Sequence, residues 1–378
     1  MKLIHLSDLH LGKRLNEFSL LDDQRFILKI ILDIVDAELP DAVILAGDIY
    51  DKAVPSAETV KLFDDFLYCL AQRKLEVFVI SGNHDSAERV AFGARLLNKN
   101  GIHLSPVYNG DVRPVTLTDA EGEVNFYMLP FVKPLHVRGA YCEEEITSYT
   151  DALQIAVAHM EVDPNKRNVL IAHQYVTGAE RSDSEEYSIG GLDNVDAAVF
   201  EPFDYVALGH IHKSQNIDSA RIRYCGSPLK YSFSESGTEK SVTVAELGAK
   251  GSLSVRMVPL VPLRDLREIR GSYMEVTSRA HYVGTNTEDY LHITLTDEED
   301  IPEVMNRLRV IYPNLMSISY DNHRTRSQTA LGSIQNLESK SPLDIFGELY
   351  EKQNGTPLSE MQHKYCVELI ESIWEDRG

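Results

Sequence analysis

The stretch that decides the fold is Ala42-Val43-Ile44-Leu45-Ala46-Gly47-Asp48, in which five apolar residues run into a glycine and a carboxylate. A continuous apolar run of this length is typical of a buried strand in a parallel sheet. Gly47 has no Cβ, so the backbone can turn sharply or approach a neighbouring segment there. Asp48 is therefore expected at the carboxyl end of a strand, where open α/β sheets place their functional residues.

Four other apolar runs end in the same way, with Asp, Asn or His directly after the strand. Their end segments are Ser7-Asp8-Leu9-His10, Ser81-Gly82-Asn83-His84-Asp85, Ala172-His173 and Gly209-His210-Ile211-His212. Because the functional residues of such sheets gather at the carboxyl ends of the strands, these side chains are expected to converge. Carboxylate, amide and imidazole ligands favour Mn²⁺, Fe²⁺ or Zn²⁺ over an all-oxygen Mg²⁺ or Ca²⁺ site. The number of ligands predicts two metal ions.

The predicted ligands divide into two sets of three with one shared carboxylate. The sets are Asp8, His10 and His212 for one ion, Asn83, His173 and His210 for the other, and Asp48 as the bridge. Two ions roughly 3.5–4 Å apart would hold a phosphate and make a bridging water acidic enough for in-line attack near neutral pH. His84, beside the ligand Asn83, would donate to the phosphate or protonate the leaving oxygen.

Composition limits what the chain can bind. With 378 residues the chain has room for about two domains, and its net charge of −21 argues against unaided binding to nucleic acid. Bound divalent ions would offset part of that charge, and a partner with a positive surface would supply the rest. The four cysteines have no paired spacing, and no segment has the composition of a signal peptide or a membrane span. A cytoplasmic protein with no membrane association is expected.

The chain is expected to contain four segments. Residues 1–265 alternate strands and helices and would form the main domain, whereas 272–322 would form a small α+β unit. Residues 323–340 are polar and without periodicity, as in a linker. Residues 341–378 contain two amphipathic helices, which need a surface on which to bury their apolar faces.

Apolar residues at helical spacing follow each of the first three strands. The predicted helices run from Asp22 to Glu38, from about Pro55 to Ala71 and from Ala87 to Asn98. The polar loop 178–191 is expected to be either a rim of the substrate site or plain surface.

The tail begins with Ser341-Pro342-Leu343-Asp344, a helix start with Ser as N-cap and Pro at the first helical position. Its apolar side chains would either pack on the protein's own core or bind a partner, and the linker before them favours a partner. The predicted contact residues are Leu343, Phe346, Leu349, Tyr365, Leu369, Ile373 and Trp374.

The strand-end motifs resemble those of a known family, the calcineurin-like metallophosphoesterases, over roughly residues 1–260. Within that superfamily the chain is similar to the double-strand-break repair nucleases over essentially its whole length. The motifs that carry the resemblance are Asp8-x-His10, Gly47-Asp48-x-x-Asp51, Gly82-Asn83-His84-Asp85, His173, Gly209-His210-x-His212, Tyr224-Cys225-Gly226-Ser227-Pro228 and the tail from Ser341 to Trp374.

The resemblance implies a metallophosphoesterase β-sandwich flanked by helices, with a small α+β capping domain and a C-terminal two-helix tail. It implies a DNA nuclease that uses two Mn²⁺ ions, with Mg²⁺, Fe²⁺ or Zn²⁺ as the other candidate ions. Such an enzyme acts as a 3′→5′ exonuclease on double strands and as an endonuclease on single strands or hairpins. Its roles would lie in DNA repair, recombination and replication.

The resemblance also implies an assembly: a homodimer, and an ATPase partner whose coiled-coil base receives the tail. The dimer contact would include Phe63, Leu67 and Leu96-Leu97, with ordinary core packing as the alternative for these side chains. Archaeal and eukaryotic members have a His where this chain has Asp51. Here Asp51 would act beside the site by orienting His84 or a metal ligand.

Two other functions would use the same residues. A cyclic-nucleotide or small-molecule phosphodiesterase, or a protein phosphatase, would have the same metal site but no need for the capping unit and the tail. A non-catalytic scaffold for DNA ends would have no need for His84 beside a full set of ligands.

Overall fold

The computed structural model describes residues 1–185 and 193–323, together with Thr325, Leu343, Phe346, Gly347, Tyr350, Glu351 and 357–375. Its strands are β1 (Lys2–Leu6), β2 (Arg14–Leu15), β3 (Phe18–Ser19), β4 (Ala42–Ala46), β5 (Glu76–Ile80), β6 (Ile102–Leu104), β7 (Val115–Asp119), β8 (Gly122–Met128), β9 (Arg167–His173), β10 (Tyr205–Gly209), β11 (Gln215–Ile217), β12 (Ile222–Tyr224), β13 (Ser241–Leu247), β14 (Leu253–Pro259), β15 (Leu266–Gly271), β16 (Tyr290–Leu295) and β17 (Leu315–Tyr320). Its helices are α1 (Leu21–Glu38), α2 (Ala57–Gln72), α3 (Ala87–Val90), α4 (Ala94–Leu97), α5 (Pro134–Ala140), α6 (Tyr149–Ala158), α7 (Tyr273–Val276), α8 (Arg279–Tyr282), α9 (Val304–Arg309) and α10 (Glu360–Glu375).

Two six-stranded sheets form the centre of the molecule. The strand order is β14-β13-β1-β4-β5-β6 in the first sheet and β11-β12-β10-β9-β8-β7 in the second. Within the first sheet β1, β4 and β5 are parallel, and within the second β9 and β10 are parallel. The five strands whose ends carry the predicted ligands are therefore neighbours in two parallel groups.

The two sheets pack face to face, and helices cover their outer faces. Between the sheets the ring of Phe78 stacks on that of Phe126, with centroids 4.4 Å apart. On the outer face of the first sheet the core includes Ile27 of α1 and Phe63 of α2, and on that of the second it includes Leu153 of α6. Strands buried on both faces need continuous apolar runs, as the sequence has them. The predicted β-sandwich flanked by helices is confirmed.

The helix predicted over Ala87 to Asn98 is wrong in its length. The structure has two single-turn helices there, α3 and α4, with Gly93 between them at φ +79°. A left-handed backbone conformation interrupts a right-handed helix, and glycine adopts it at no steric cost. The apolar spacing of the segment was helical, but the glycine decides where the helix stops.

A separate three-stranded parallel sheet, ordered β15-β16-β17, follows the main sheets. The sequence did not predict β15, which lies between the segments 1–265 and 272–322. The small sheet packs with α7 and α9 around an apolar cluster that includes Leu291 and Leu308. It contacts the main sheets through the buried Asp23 of α1, whose Oδ2 lies 2.8 Å from Tyr290 Oη and 2.8 Å from Arg264 Nη1.

The tail helix α10 begins near the predicted position after Pro357. Three apolar side chains at a spacing of four residues, Met361, Tyr365 and Leu369, are 83%, 65% and 45% exposed. Phe346 is also exposed. Leu349, most of the predicted linker 323–340 and the side chains of Ile373 and Trp374 lie outside the described residues. Among the described helices, none is long and apolar enough to cross a membrane.

Candidate metal centre

The side chains that follow the five strands lie together, where the carboxyl ends of the central strands of the two sheets meet. In the first predicted set, His10 Nε2 lies 3.1 Å from His212 Nε2. Ligand atoms of these two rings and of Asp8 lie within 4.8 Å of one another. All three side chains are buried.

The second predicted set converges in the same way. Asn83 Oδ1 lies 3.1 Å from His173 Nε2 and 3.0 Å from His210 Nδ1. An amide oxygen and two imidazole nitrogens therefore point at one position. They come from the ends of β5, β9 and β10, so both sheets contribute to the set.

Asp48 lies between the two sets. Its Oδ2 is 3.3 Å from His173 Nε2 and 3.5 Å from His10 Nε2, so one oxygen faces a ring of each set. Its Oδ1 accepts a hydrogen bond of 2.9 Å from the backbone N–H of His84. A carboxylate in this position could contact ions held by both sets.

Glycines precede three of the ligands because the strand ends approach too closely for a side chain. A Cβ on Gly47 would lie 2.4 Å from His173 Nδ1, and one on Gly209 would lie 2.0 Å from the carbonyl oxygen of Ala46. Gly47 also has φ +90°, which disfavours any other residue. The close approach expected at Gly47 is thus present, and it brings the two sheets within reach of a shared site.

The backbone of the ligands themselves is strained. Asp8, His10, Asp48 and His210 have φ of +52°, +41°, +48° and +95°, in the region that non-glycine residues rarely adopt. Strain of this kind persists where the surrounding structure fixes it, and it clusters at functional sites. Four of the seven predicted ligands are held in this way.

Hydrogen bonds fix the tautomer of His173. Its Nδ1 lies 2.8 Å from the carbonyl oxygen of Ala46, which can only accept, so Nδ1 carries the proton. In the neutral ring the lone pair is then on Nε2, which points at Asn83 and Asp48. Burial opposes protonation of this ring, but the charges of Asp48 and Asp8 outweigh it and raise the pKa of His173 to about 9. A bound cation would replace that proton.

Burial lowers the pKa of His10 and of His212 well below the ordinary value, and it lowers that of His210 to about 3. These rings are therefore neutral at physiological pH and offer lone pairs, as metal binding requires. Burial also raises the pKa of Asp8 to about 7, with the charge of Asp48 as a further cause. Two close carboxylates beside three neutral imidazoles and an amide fit divalent cations.

His84 and Asp51 lie next to the predicted ligands, and a ring nitrogen of His84 is within 4.8 Å of ligand atoms of His10 and Asp48. The ring of His84 is 4.8 Å from that of His10, and its Nδ1 is 3.3 Å from the carbonyl oxygen of Asp51. The Asp51 carboxylate lies 2.9 Å from Lys13 Nζ and 3.7 Å from His10 Nδ1. Asp51 thus reaches His84 through its backbone, and its side chain is close to a predicted ligand.

Two further parts of the chain contribute to the site, and the role of the first, Asp85, was not predicted. The Asp85 carboxylate accepts hydrogen bonds from the backbone N–H groups of Ile49, Tyr50 and Gly82, and so joins the loops after β4 and β5. Its place directly after Asn83-His84 was the available signal. The second part is the polar loop 178–191, which was expected to be either a substrate rim or plain surface. Ser184 and Glu185 contact His212, whereas 186–191 lie outside the described residues.

A cleft of about 510 Å³ opens on the Asn83 side of the site. Its lining includes the aromatic rings of Tyr108 and Phe131 and the cationic side chains of Arg89 and Lys133. Aromatic faces can stack on nucleobases, and cations can pair with phosphates.

Sequence comparisons find similar proteins over the whole length of the chain. Residues 1–214 match the calcineurin-like phosphoesterase family, and 262–354 match the family described as Type 5 capsule protein repressor C-terminal domain. The chain is 33% identical to the D subunit of the nuclease SbcCD from Staphylococcus epidermidis, with 100% of both chains covered. It is 32% identical to the protein of the same name from Staphylococcus saprophyticus, across 100% of this chain and 99% of that one.

Two solved structures are similar at 12% identity. A dimetal phosphatase from Danio rerio covers 68% of this chain and 96% of its own, with a TM-score of 0.44. The protein TT1561 of Thermus thermophilus covers 68% of this chain and 98% of its own, with a TM-score of 0.38.

Replacing Gly47 by alanine should destabilise the fold more than the backbone conformation alone explains. Gly251→Ala is the matched control, because Gly251 has φ +80° but open space around its Cα. We expect Gly251→Ala to cost about 1–2 kcal/mol from the left-handed backbone. Gly47→Ala should cost roughly a further 1–3 kcal/mol, since its Cβ overlaps His173. Urea denaturation of both variants measures the difference, and equal losses would contradict the close approach.

Proposed function

The chain belongs to the calcineurin-like phosphoesterases and, within them, to the D subunits of the SbcCD nucleases, and from this membership we propose that it is a manganese-dependent DNA nuclease. Membership of this family makes the protein a metal-dependent phosphodiesterase. The observation that carries the proposal is the convergence of two donor sets on Asp48. We place its action at double-strand ends, hairpins and single strands in DNA repair, recombination and replication.

The donor set suits the proposed metals. Four imidazoles, one amide and two carboxylates favour Mn²⁺, Fe²⁺ or Zn²⁺ over Mg²⁺, which prefers oxygen ligands alone. When bound, two such ions supply charge stabilisation for a phosphodiester and make water acidic enough to act as the nucleophile near neutral pH. In this proposal Asp8, His10 and His212 hold one ion, the second set holds the other, and Asp48 contacts both.

His84 is proposed to act on the substrate itself. Its Nδ1 donates to the carbonyl oxygen of Asp51, so its Nε2 is left for the phosphate or the leaving oxygen. Its backbone N–H donates to Asp48, which holds the residue next to the site, and in this proposal its ring acts on the substrate and is not a ligand. A half-buried imidazole in this position can donate a hydrogen bond or transfer a proton in the transition state.

The cleft beside Asn83 supports a nucleic-acid substrate. Phe131 stacks toward His210 with an interplanar angle of 18°, and Lys133 and Arg89 line the same cleft. A cyclic nucleotide would also fit a cleft of this kind, and a cyclic-nucleotide phosphodiesterase is therefore the second candidate function. The small sheet of β15, β16 and β17 is proposed as a capping domain that a small substrate would not need.

The test is cleavage of an end-labelled hairpin DNA in Mn²⁺, alongside bis-p-nitrophenyl phosphate. We expect the wild-type protein to cleave both, and His84→Ala to lose about 100-fold or more of either activity while it keeps its metal content. His281→Ala, which removes an exposed histidine of α8, is the control and should cleave as the wild type does.

Three results would count against the proposal. Metal loss in His84→Ala would mean that the ring is a ligand rather than a donor. Undiminished cleavage by that variant would remove its role altogether. Cleavage of the small diester alone, even with the ATPase partner added, would favour the cyclic-nucleotide enzyme.

The assembly is proposed on separate observations. We place the ATPase SbcC as the partner, and the exposed face of α10 with Tyr365 and Leu369 as the surface that its coiled-coil base receives. The remaining predicted tail residues, including Leu349, Ile373 and Trp374, belong to the same proposal. A positive surface on SbcC would offset the net charge of −21 near DNA.

The proposed homodimer needs a different contact from the one first expected. Phe63 is only 6% exposed and lies in the core, and Leu67 and Leu97 also pack against that core. Leu96 is 76% exposed, and Phe92 beside it is 85% exposed. We propose that these two side chains contribute to the dimer contact, within a heterotetramer of two nuclease and two SbcC chains.

Two variants separate the partner contact from the dimer contact. Truncation after Lys340 should abolish binding to SbcC and leave the dimer mass unchanged. The double variant Phe92→Glu, Leu96→Glu should halve the mass of the nuclease dimer and leave SbcC binding intact. Light scattering with and without SbcC measures both, and a truncated protein that still binds SbcC would overturn the tail assignment. A double variant that stays dimeric would overturn the dimer contact.

A further inference from the structure

Ser184 lies against His212 on the side away from the metal site. Its Oγ is 2.6 Å from His212 Nδ1 and 2.7 Å from Glu235 Oε1. A carboxylate can only accept, so the hydroxyl proton of Ser184 goes to Glu235 and the ring donates its Nδ1–H to Ser184. The lone pair of His212 is then on Nε2, which faces His10 Nε2 at 3.1 Å.

Glu235 reaches the ring only through Ser184. Its Oε1 is 4.0 Å from His212 Nδ1, beyond hydrogen-bond distance. Glu235 is 1% exposed, and its Oε1 also accepts from the backbone N–H groups of Tyr231 and Ser232, each at 3.1 Å. The carboxylate is therefore held in place by contacts other than the one with Ser184.

Lys240 supplies the charge that makes the buried carboxylate tolerable. Its Nζ pairs with Glu235 Oε2 and donates hydrogen bonds of 2.8 Å to Ser227 Oγ and to the carbonyl oxygen of His212. A buried ion pair persists where the remaining donors and acceptors are satisfied, as they are here. The same lysine therefore contacts both the carboxylate and the backbone of the ligand.

The loop that carries Ser184 is attached to the site at other points as well. Glu185 Oε1 accepts a hydrogen bond of 2.7 Å from the backbone N–H of His212. The backbone N–H of Asp183 donates to Ser234 Oγ at 3.0 Å. These contacts hold the loop in place, while Ser184 Oγ accepts the hydrogen bond that His212 Nδ1–H donates.

His212 and His173 are held in different ways. A backbone carbonyl of β4 fixes the tautomer of His173, so the fold itself determines it. The tautomer of His212 depends on a loop hydroxyl. We propose that Ser184, supported by the Glu235–Lys240 pair, is a positioning residue that keeps the Nε2 lone pair of His212 directed into the site and so sets the affinity for one of the two ions. The effect on metal affinity rests on the proposed function, whereas the orientation of the His212 ring rests on the hydrogen-bond geometry alone.

The consequence of losing the hydroxyl follows from the burial of the ring. In Ser184→Ala the Nδ1–H of His212 loses its acceptor, and an unpaired buried donor is costly. The ring then gains by moving its proton to Nε2, which removes the lone pair from the site. Loss of such an outer partner of a metal-ligating histidine typically lowers metal affinity by about 10–100-fold.

The test uses the full chain in three variants. Ser184→Ala removes the hydroxyl, Ser184→Thr keeps it, and Ser234→Ala removes a loop attachment without touching the ring. ¹⁵N NMR of histidine-labelled, metal-free protein reads the tautomer of His212, with the signal assigned by its loss in His212→Gln. Mn²⁺ titration by calorimetry then gives the affinity of each of the two sites.

We expect Ser184→Ala to shift His212 toward the Nε2–H tautomer and to weaken one Mn²⁺ site by about 10–100-fold. Ser184→Thr and Ser234→Ala should match the wild type in both readouts. An unchanged tautomer, an unchanged Mn²⁺ affinity, or equal losses in Ser234→Ala would overturn the inference. If the wild-type protein binds no Mn²⁺, the proposed function fails, and the tautomer comparison alone decides whether Ser184 positions the ring.

Discussion

The structure depends on the close approach of two sheets at the carboxyl ends of their central strands. Asp48 occupies the gap, with one oxygen within 3.5 Å of an imidazole from each ligand set. No Cβ fits at Gly47, Gly82 or Gly209, since each would lie 2.4 Å or less from a neighbouring atom. The short distance between the sheets therefore also determines where the Asp48 carboxylate lies. The positive φ of Asp48 is the backbone strain that accompanies this arrangement.

That constraint also determines the electrostatics of the site. Burial raises the pKa of Asp8. Burial acts in the same direction on Asp48, but the neighbouring histidines, His173 first, outweigh it and hold the pKa of Asp48 well below its usual range. The metal-free site therefore balances carboxylates against a protonated His173. Divalent ions would take over that compensation, which explains how an acidic chain can present a site for a phosphodiester.

The convergence of the predicted ligands could be expected from the sequence because each of them lies just after a buried strand. The apolar run before Asp48 indicates where the strand ends, and chain order then places His173 and His210 at the same edge. The division of the predicted ligands into two sets of three followed from their number and stays a prediction. Contacts between distant segments could not be predicted in this way. Nothing in the local pattern around Ser184 indicates that its hydroxyl meets His212, and nothing around Phe63 separates core packing from a dimer contact.

Two elements were mispredicted, and each error has a physical cause. Gly93 divides a segment of helical periodicity into two turns, and only the backbone angle reveals it. Strand β15 has two apolar side chains, Leu266 and Ile269, which are three residues apart and do not alternate with polar ones. It becomes a strand by pairing with β16. The first error therefore has a local cause in the backbone, and the second has a tertiary cause in strand pairing.

The central claim is that Asp48 joins two metal ions in one site. Equilibrium dialysis against Mn²⁺ tests it most directly, with the wild type, Asp48→Ala and His212→Ala compared at equal protein concentration. The account predicts two ions per chain in the wild type, one in His212→Ala and none in Asp48→Ala. Two ions retained in Asp48→Ala would contradict it, because the two donor sets would then be independent sites.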